Sequence, residues 1–556
     1  MKNFSSDKLT QALLSWLRSL LLITIILPLA AIEAKAAERI YFNYGALGFS
    51  VSINSLEQFA KHGTVNKELA FYLERVTPQQ REQFRQALLQ RSTLDALQVY
   101  RFFKTPMGED ILEGIGNLIQ IEGGLNGKYP LRGAIFQAAI DAEGLTLLNF
   151  LKKFPTNIQL NTEEIFTLAE KVEAAIALTN STIETVAQLA AKEVKTEKAV
   201  DFAKLPDLRE PGALGFREQK LILIDKKRDR ELVVYLYTPQ KWRPRKTPVI
   251  IFSHGLASRP EDFSKRGEHL ASHGYVVVLP RHPGSDLIYL QETLEGYSSD
   301  IFDINEFTNR PLDISFIIDE LEKRNRPEFG GRLDLQQVGI AGHSFGGYTA
   351  LALAGARIDF ENLQGACNSG DWDPNLSLLL QCRALELPRK DYNFRDERVK
   401  AVLAINPVNS SIFGFQGLSQ IQIPVFIVAG SYDPATPAVY EQLRSFPWLT
   451  VQNKYLALAE GQAHVDFSVL DAGASQLLNS LPNLTLPDPV LLDSYANAMT
   501  LAFFETYIAN NSKSRPYLQA SYATYLSRQE PFKLYLIDAS SALQLSQALN
   551  KFNLND

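Results

Sequence analysis

The stretch Gln337-Val-Gly-Ile-Ala-Gly-His-Ser-Phe-Gly-Gly-Tyr-Thr-Ala-Leu-Ala-Leu-Ala354 decides how the chain is read. Residues 338–341 form an apolar run of strand length, and a helix of small residues begins near Gly346. Between them Gly342-His343-Ser344-Phe345-Gly346 fits G-x-S-x-G, the elbow that lifts a serine hydroxyl above the edge of a sheet. In so sharp a turn a side chain on either flank would meet backbone, and glycine carries none. The Phe345 N–H, at the start of the helix, is placed to face an oxygen that gains negative charge beside Ser344. Such an elbow calls for a base, an acid to orient that base and a second backbone donor.

Downstream of Ser344 the chain holds one histidine, His464, in Glu460-Gly-Gln-Ala-His-Val-Asp466, a short loop after an apolar run over 455–459. An imidazole is nearly matched to neutral pH and suits a base for a hydroxyl. For the acid we expect Asp433, in Gly430-Ser-Tyr-Asp-Pro-Ala-Thr-Pro437 after the run 425–429. An open parallel sheet gathers its site on such carboxyl-end loops. The bland reading of Asp433 is a turn former ahead of Pro434. Glu460 and Asp466 stand too near His464 in sequence to orient it easily. The second oxyanion donor is assigned to the N–H of Leu256, in Phe252-Ser-His-Gly-Leu-Ala257, with His254 and Gly255 shaping that loop. His62, His269 and His273 read as structural, and His282 and His343 as structural or supporting.

From about residue 206 strand signals alternate with helical ones. A hairpin is expected from 221–224 and 232–236, then strands at 249–252, 275–279, 338–341, 399–405, 425–429 and 455–459, with helices at 263–272, 310–321 and 490–508. This alternation predicts an α/β fold, a mostly parallel sheet covered by helices on both faces. The segment 358–397 breaks the rhythm and sits where it can cap the site. Residues 511–556 form an extension to which the sequence assigns no role.

Residues 37–205 read as an all-helical domain and linker, with apolar residues three and four apart over 68–76, 77–89 and 162–194. Thr77-Pro78-Gln79-Gln80 carries a capping box, Asn161 heads a second helix start, and Thr105-Pro106 a third that lacks the reciprocal Glu or Gln. The region gathers no catalytic residue types and reads as a packing or interaction domain.

At 556 residues the chain has room for two or three domains, and its net charge of −6 gives a nucleic-acid partner no electrostatic support. Lys2, Lys8 and Arg18 precede an apolar run over 20–31, followed by Ala34-Lys35-Ala36 of the A-x-A form. This predicts a signal peptide over 1–36, cleaved near Ala36, and export to the periplasm, the exterior or a thylakoid lumen. Cys367 and Cys382, an even pair in an exported chain, are expected to bond.

Residues 206–510 resemble the alpha/beta-hydrolase superfamily, in particular platelet-activating-factor acetylhydrolases and dienelactone-hydrolase-like proteins. The resemblance rests on Ser253-His-Gly-Leu256, Arg281-His-Pro-Gly-Ser285, Arg310-Pro-Leu-Asp313, Gly342-His-Ser-Phe-Gly-Gly347 and Gly461-Gln-Ala-His464. The whole chain resembles exported cyanobacterial hydrolases with an uncharacterised helical N-terminal domain. The resemblance implies a serine esterase that needs neither cofactor nor metal and acts on small-molecule or lipid acyl esters, with room for association with a membrane surface. The acetylhydrolase pattern puts its acid after the strand that follows the elbow, where this chain has Asn406-Pro407. The acid therefore moves to Asp433, as in dienelactone-hydrolase-like members. Rival readings are an acyl-peptidase or thioesterase with the same triad, and a non-catalytic binding module on a hydrolase scaffold.

Overall fold

The computed structural model describes residues 36–92, 94–368, 374–464 and 486–551; the targeting segment before Ala36 and the runner-up acid Asp466 lie outside them. Backbone proximity divides the chain into two units, one of residues up to Ala96 with 112–165, the other of 97–111 with everything from Phe166.

In the first unit the capping signals act as their spacing requires. Gln80 N–H donates to Thr77 Oγ1 at 3.2 Å while Thr77 N–H donates to the Gln80 side chain at 2.9 Å, starting the helix Pro78–Leu89. Thr105, in the stretch 97–111 assigned to the second unit, accepts from Gly108 N–H at 3.1 Å at the start of the helix Pro106–Leu118. The first unit is not all-helical, however. β1 (Arg39–Tyr44) and β2 (Leu47–Ser52) form an antiparallel hairpin. With β3 (Ile119–Ile121) and β4 (Ile158–Leu160) they make a four-stranded sheet ordered β2-β1-β4-β3. β3 and β4 are three residues each, too short to show alternation, and only their pairing makes them strands. The β1–β2 hairpin is held by the facing rings of Phe42 and Phe49, 5.8 Å apart.

The second unit is built on a sheet of nine strands. These are β5 (Phe216–Asp225), β6 (Arg230–Pro239), β7 (Thr247–Ser253), β8 (Val276–Pro280), β9 (Leu333–His343), β10 (Val399–Ile405), β11 (Val425–Gly430), β12 (Lys454–Ala459) and β13 (Leu534–Asp538). Their order is β13-β12-β11-β10-β9-β7-β8-β6-β5. The run from β8 to β12 is parallel throughout, and β6 and β13 pair antiparallel with its two ends. β7 shows why such strands lack a polar face: all seven residues are buried, Val249 and Ile251 in one core, Ile250 and Phe252 in the other. The first core takes side chains from the helices Glu306–Phe329 and Phe345–Ala354, the second from Ser264–Ser272 and Pro489–Tyr507.

Residues 166–196 of the helix Thr162–Thr196 belong to this unit, with Val186, Leu189 and Ala190 buried in the first core. At its end Glu197 accepts from Ala520 N–H and Ser521 N–H at 2.6 and 2.9 Å, capping the helix Ala520–Ser527 of the C-terminal extension. Cys367 and Cys382 are bonded, with Cα atoms 5.7 Å apart. Among the described residues no helix is long and apolar enough to cross a membrane.

Candidate active site

The loops that leave the carboxyl ends of parallel strands in this sheet carry Ser344, Leu256, Asp433 and His464, and Phe345 opens the helix after Ser344. Ser344 follows β9, Leu256 follows β7, Asp433 follows β11 and His464 follows β12. Ser344 has φ 56° and ψ −117°, a conformation that L side chains rarely adopt, and is nearly buried. Tight packing around it explains the glycines. A Cβ on Gly342 would stand 2.0 Å from Gly346 O, and one on Gly346 would stand 1.9 Å from Ser253 O. The second contact is informative, because it presses the start of the elbow helix against the loop after β7. Gly255 of that loop lies so close to Ser344 that a Cβ on it would be 3.3 Å from the serine Cβ.

Asp433 serves two purposes at once. Its Oδ1 accepts from Ala435 N–H and Thr436 N–H, each at 2.9 Å, which is the turn expected ahead of Pro434. Its Oδ2 lies 2.7 Å from His464 Nδ1 and accepts the Thr436 hydroxyl at 2.9 Å. A carboxylate only accepts, so Nδ1 carries a ring proton, and in the neutral imidazole Nε2 is the nitrogen with the free lone pair. The His464 ring lies 4.6 Å, centre to centre, from that of His343, the residue before Ser344. Burial, with His464 beside it, pushes the His343 imidazole well below its ordinary pKa, so it stays neutral. Asn406, at the position where the acetylhydrolase pattern has an acid, braces the loop of Asp433 instead. Its Oδ1 accepts from Gly430 N–H at 2.9 Å, and its carbonyl lies 3.2 Å from Thr436 Oγ1, whose one proton goes to Asp433. Glu460 faces the C-terminal extension, accepting from Lys533 N–H and from Tyr535 Oη, both at 2.9 Å.

Beneath the Leu256 loop lies a polar floor that the sequence reading did not foresee. Ser253 Oγ is 3.0 Å from His282 Nε2, and His282 Nδ1 is 3.0 Å from Asp313 Oδ2, with all three residues fully buried. Asp313 is held by Arg228 at 2.8 Å and by both arms of Arg230 at 2.8 and 3.0 Å. Glu306 pairs with Arg230 at 2.9 Å. His282, Glu306 and Asp313 bring ligand-type atoms within 4.8 Å of one another, but guanidinium cations already engage both carboxylates. The readable signal for this floor is Arg310-Pro-Leu-Asp313, one of the stretches on which the resemblance rests.

Two family profiles match the chain. One, described as alpha/beta hydrolase of unknown function (DUF1400), covers residues 36–161; the other, chlorophyllase, covers 223–366 and so includes the elbow. Among curated proteins, chlorophyllase-1 of Citrus unshiu is 29% identical over 133 residues, which is 23% of this chain and 36% of that protein. Platelet-activating factor acetylhydrolase of Cavia porcellus is 29% identical over 156 residues, 20% of this chain and 34% of that protein. Chlorophyllase type 0 of Chenopodium album is 31% identical over 119 residues, 21% of this chain and 30% of that protein. The chain thus spans about a third of the length of the curated relatives it matches.

Proposed function

We propose that this chain, a member of the alpha/beta-hydrolase superfamily, is an exported serine hydrolase that cleaves carboxylic esters through an acyl-enzyme. The observation that carries the reading is the 2.7 Å contact between His464 Nδ1 and Asp433 Oδ2, on loops that neighbour the elbow of Ser344. His464 Nε2 takes the Ser344 proton as Oγ attacks the acyl carbonyl, and Asp433 stabilises the imidazolium. The N–H groups of Leu256 and Phe345 receive the oxyanion. Collapse of the tetrahedral intermediate expels the alkoxide, which His464 protonates; the same base then activates water to release the acid.

Ester hydrolysis is supported by relatives that are themselves named chlorophyllase and platelet-activating factor acetylhydrolase. Export is supported by the charged and apolar segment before Ala36 and by the Cys367–Cys382 bond. The test is labelling of the purified protein with a fluorophosphonate, together with hydrolysis of p-nitrophenyl esters of increasing chain length, a phytyl ester, a thioester and a peptide amide. We expect labelling and ester turnover in the parent and neither in Ser344→Ala. An unlabelled parent overturns the proposal in favour of a binding module, and preference for the amide or thioester redirects it to those bonds.

A further inference from the structure

Arg310 is fully buried in the helix Glu306–Phe329, and its guanidinium reaches both segments of the proposed oxyanion site, the loop after β7 and the start of the elbow helix. Nη1 donates to His254 O at 2.6 Å and Nη2 to Gly255 O at 3.2 Å, while the guanidinium carbon stands 4.4 Å over the Phe345 ring. Nε donates to Ser285 Oγ at 2.8 Å, and that hydroxyl donates to Glu306 Oε2 at 2.8 Å, so the arginine is itself held.

Gly255 O also draws His254 Nδ1 at 2.7 Å and, more weakly, Ser258 N–H at 3.4 Å. The role of His254 is settled by chemistry. The backbone N–H of His282 can only donate, and it lies 3.0 Å from His254 Nε2, which must therefore accept. The ring proton is on Nδ1 and is given to Gly255 O. In a trans peptide the carbonyl and the next N–H point in opposite directions. Donors gathered on Gly255 O therefore aim the Leu256 N–H the other way, and a cationic donor polarises that peptide toward stronger donation. The second peptide is held by the same logic: Ser344 O accepts from Tyr348 N–H at 3.1 Å and Val408 N–H at 3.3 Å, which directs the N–H of Phe345.

We propose that Arg310 is a positioning residue that, with His254, fixes and polarises the Gly255–Leu256 peptide so that its N–H meets the oxyanion of the tetrahedral intermediate. The proposal rests on the ester-hydrolase reading above. Its action is confined to the transition state, since a planar ester carbonyl draws less on that N–H than an alkoxide does. Burial pulls the guanidinium down only to about 10, so it is cationic at working pH.

The experiment measures p-nitrophenyl ester kinetics and the affinity for a trifluoromethyl ketone, which forms a tetrahedral adduct on serine, in Arg310→Lys, Arg310→Met, His254→Asn and His254→Leu. Asparagine can place an amide N–H near the position of Nδ1, whereas leucine cannot. Each variant is first checked for parental circular dichroism and cooperative unfolding. We expect kcat to fall about 10- to 100-fold in Arg310→Met and His254→Leu, less than outright loss of an oxyanion donor costs. We expect KM to stay within about threefold and ketone affinity to fall in step with kcat/KM. Arg310→Lys and His254→Asn should recover part of the loss. Folded Arg310→Met or His254→Leu with parental kcat, or a loss confined to KM, overturns the proposal. Should Arg310→Met not fold, the His254 pair decides alone. An inactive parent would instead overturn the ester-hydrolase reading, which these variants cannot do.

Discussion

Ser344 holds a backbone conformation that costs energy, and two glycines with ordinary backbone angles make room for it. Because the atoms that a Cβ at Gly342 or Gly346 would strike are backbone oxygens, no rotamer change relieves the clash. Gly342→Ala or Gly346→Ala should cost about 3 kcal/mol or more, read as a lowered urea midpoint, and remove any fluorophosphonate labelling. Asp433→Asn tests a different point. The amide can still turn the loop through its oxygen, but it no longer fixes the proton on His464 Nδ1. Activity should drop about 10⁴-fold in kcat with the fold intact, as judged by circular dichroism. At these positions the sequence was legible because both signals are local. The elbow is five residues long, and the Asp433 turn closes within three. Arg310 was not legible, since its partners His254 and Gly255 lie 56 and 55 residues away.

Helices and strands differ in how much of their cause lies within them. The helix Thr162–Thr196 was readable from its own spacing, but not what its last turns do. Glu193, which lies one turn before Glu197, accepts from the N–H of Asp538, the last residue of β13, at 3.2 Å and from the Ser541 hydroxyl just beyond it. Burial, with the carboxylates of Asp538 and Glu197 nearby, pushes Glu193 up to about 7. Below the ordinary carboxyl range both folded and unfolded chains hold this proton, so it contributes nothing. As pH rises toward 7 the unfolded chain releases it first, and the fold loses up to about 3 kcal/mol. Glu193→Gln should therefore unfold at higher urea than the parent at pH 8 and lose that advantage at pH 4.5. An equal shift at both pH values would show that the carboxyl does not titrate on folding. The insertion after the elbow helix is fastened by another buried carboxylate. Glu441 Oε1 accepts from Asn375, Ser377, Gln381 and Ser410 side chains at 2.7 to 2.9 Å, which ties the insertion to the helix Ser410–Leu418.

The extension that the sequence left without a role completes both cores. β13 closes the edge of β12; Tyr517, Leu518, Tyr522, Ala523 and Leu526 enter the second core, and Ile537, Leu545 and Leu549 the first. Ending the chain at Asn511 should leave the β12 edge and both faces exposed. The product is expected to aggregate, with no cooperative unfolding transition in calorimetry. A soluble, cooperatively folding truncation would show that the sheet is sufficient without its last strand.

The sequence by itself determined the α/β alternation, the elbow and the order of Ser344, Asp433 and His464 along the chain, because each is written in periodicity or in a few adjacent residues; that Cys367 and Cys382 bond was left to the tertiary structure. It missed the sheet of the first unit, two of whose four strands, β3 and β4, are three residues each and carry no period of their own. Only the tertiary structure decided that Asn406 braces the Asp433 loop, that Arg310 grips the Leu256 loop and that the C-terminal extension is part of the core. Those arrangements depend on hydrogen bonds and packing between residues tens to hundreds of positions apart, and chain spacing does not encode which distant carbonyl a buried side chain will meet.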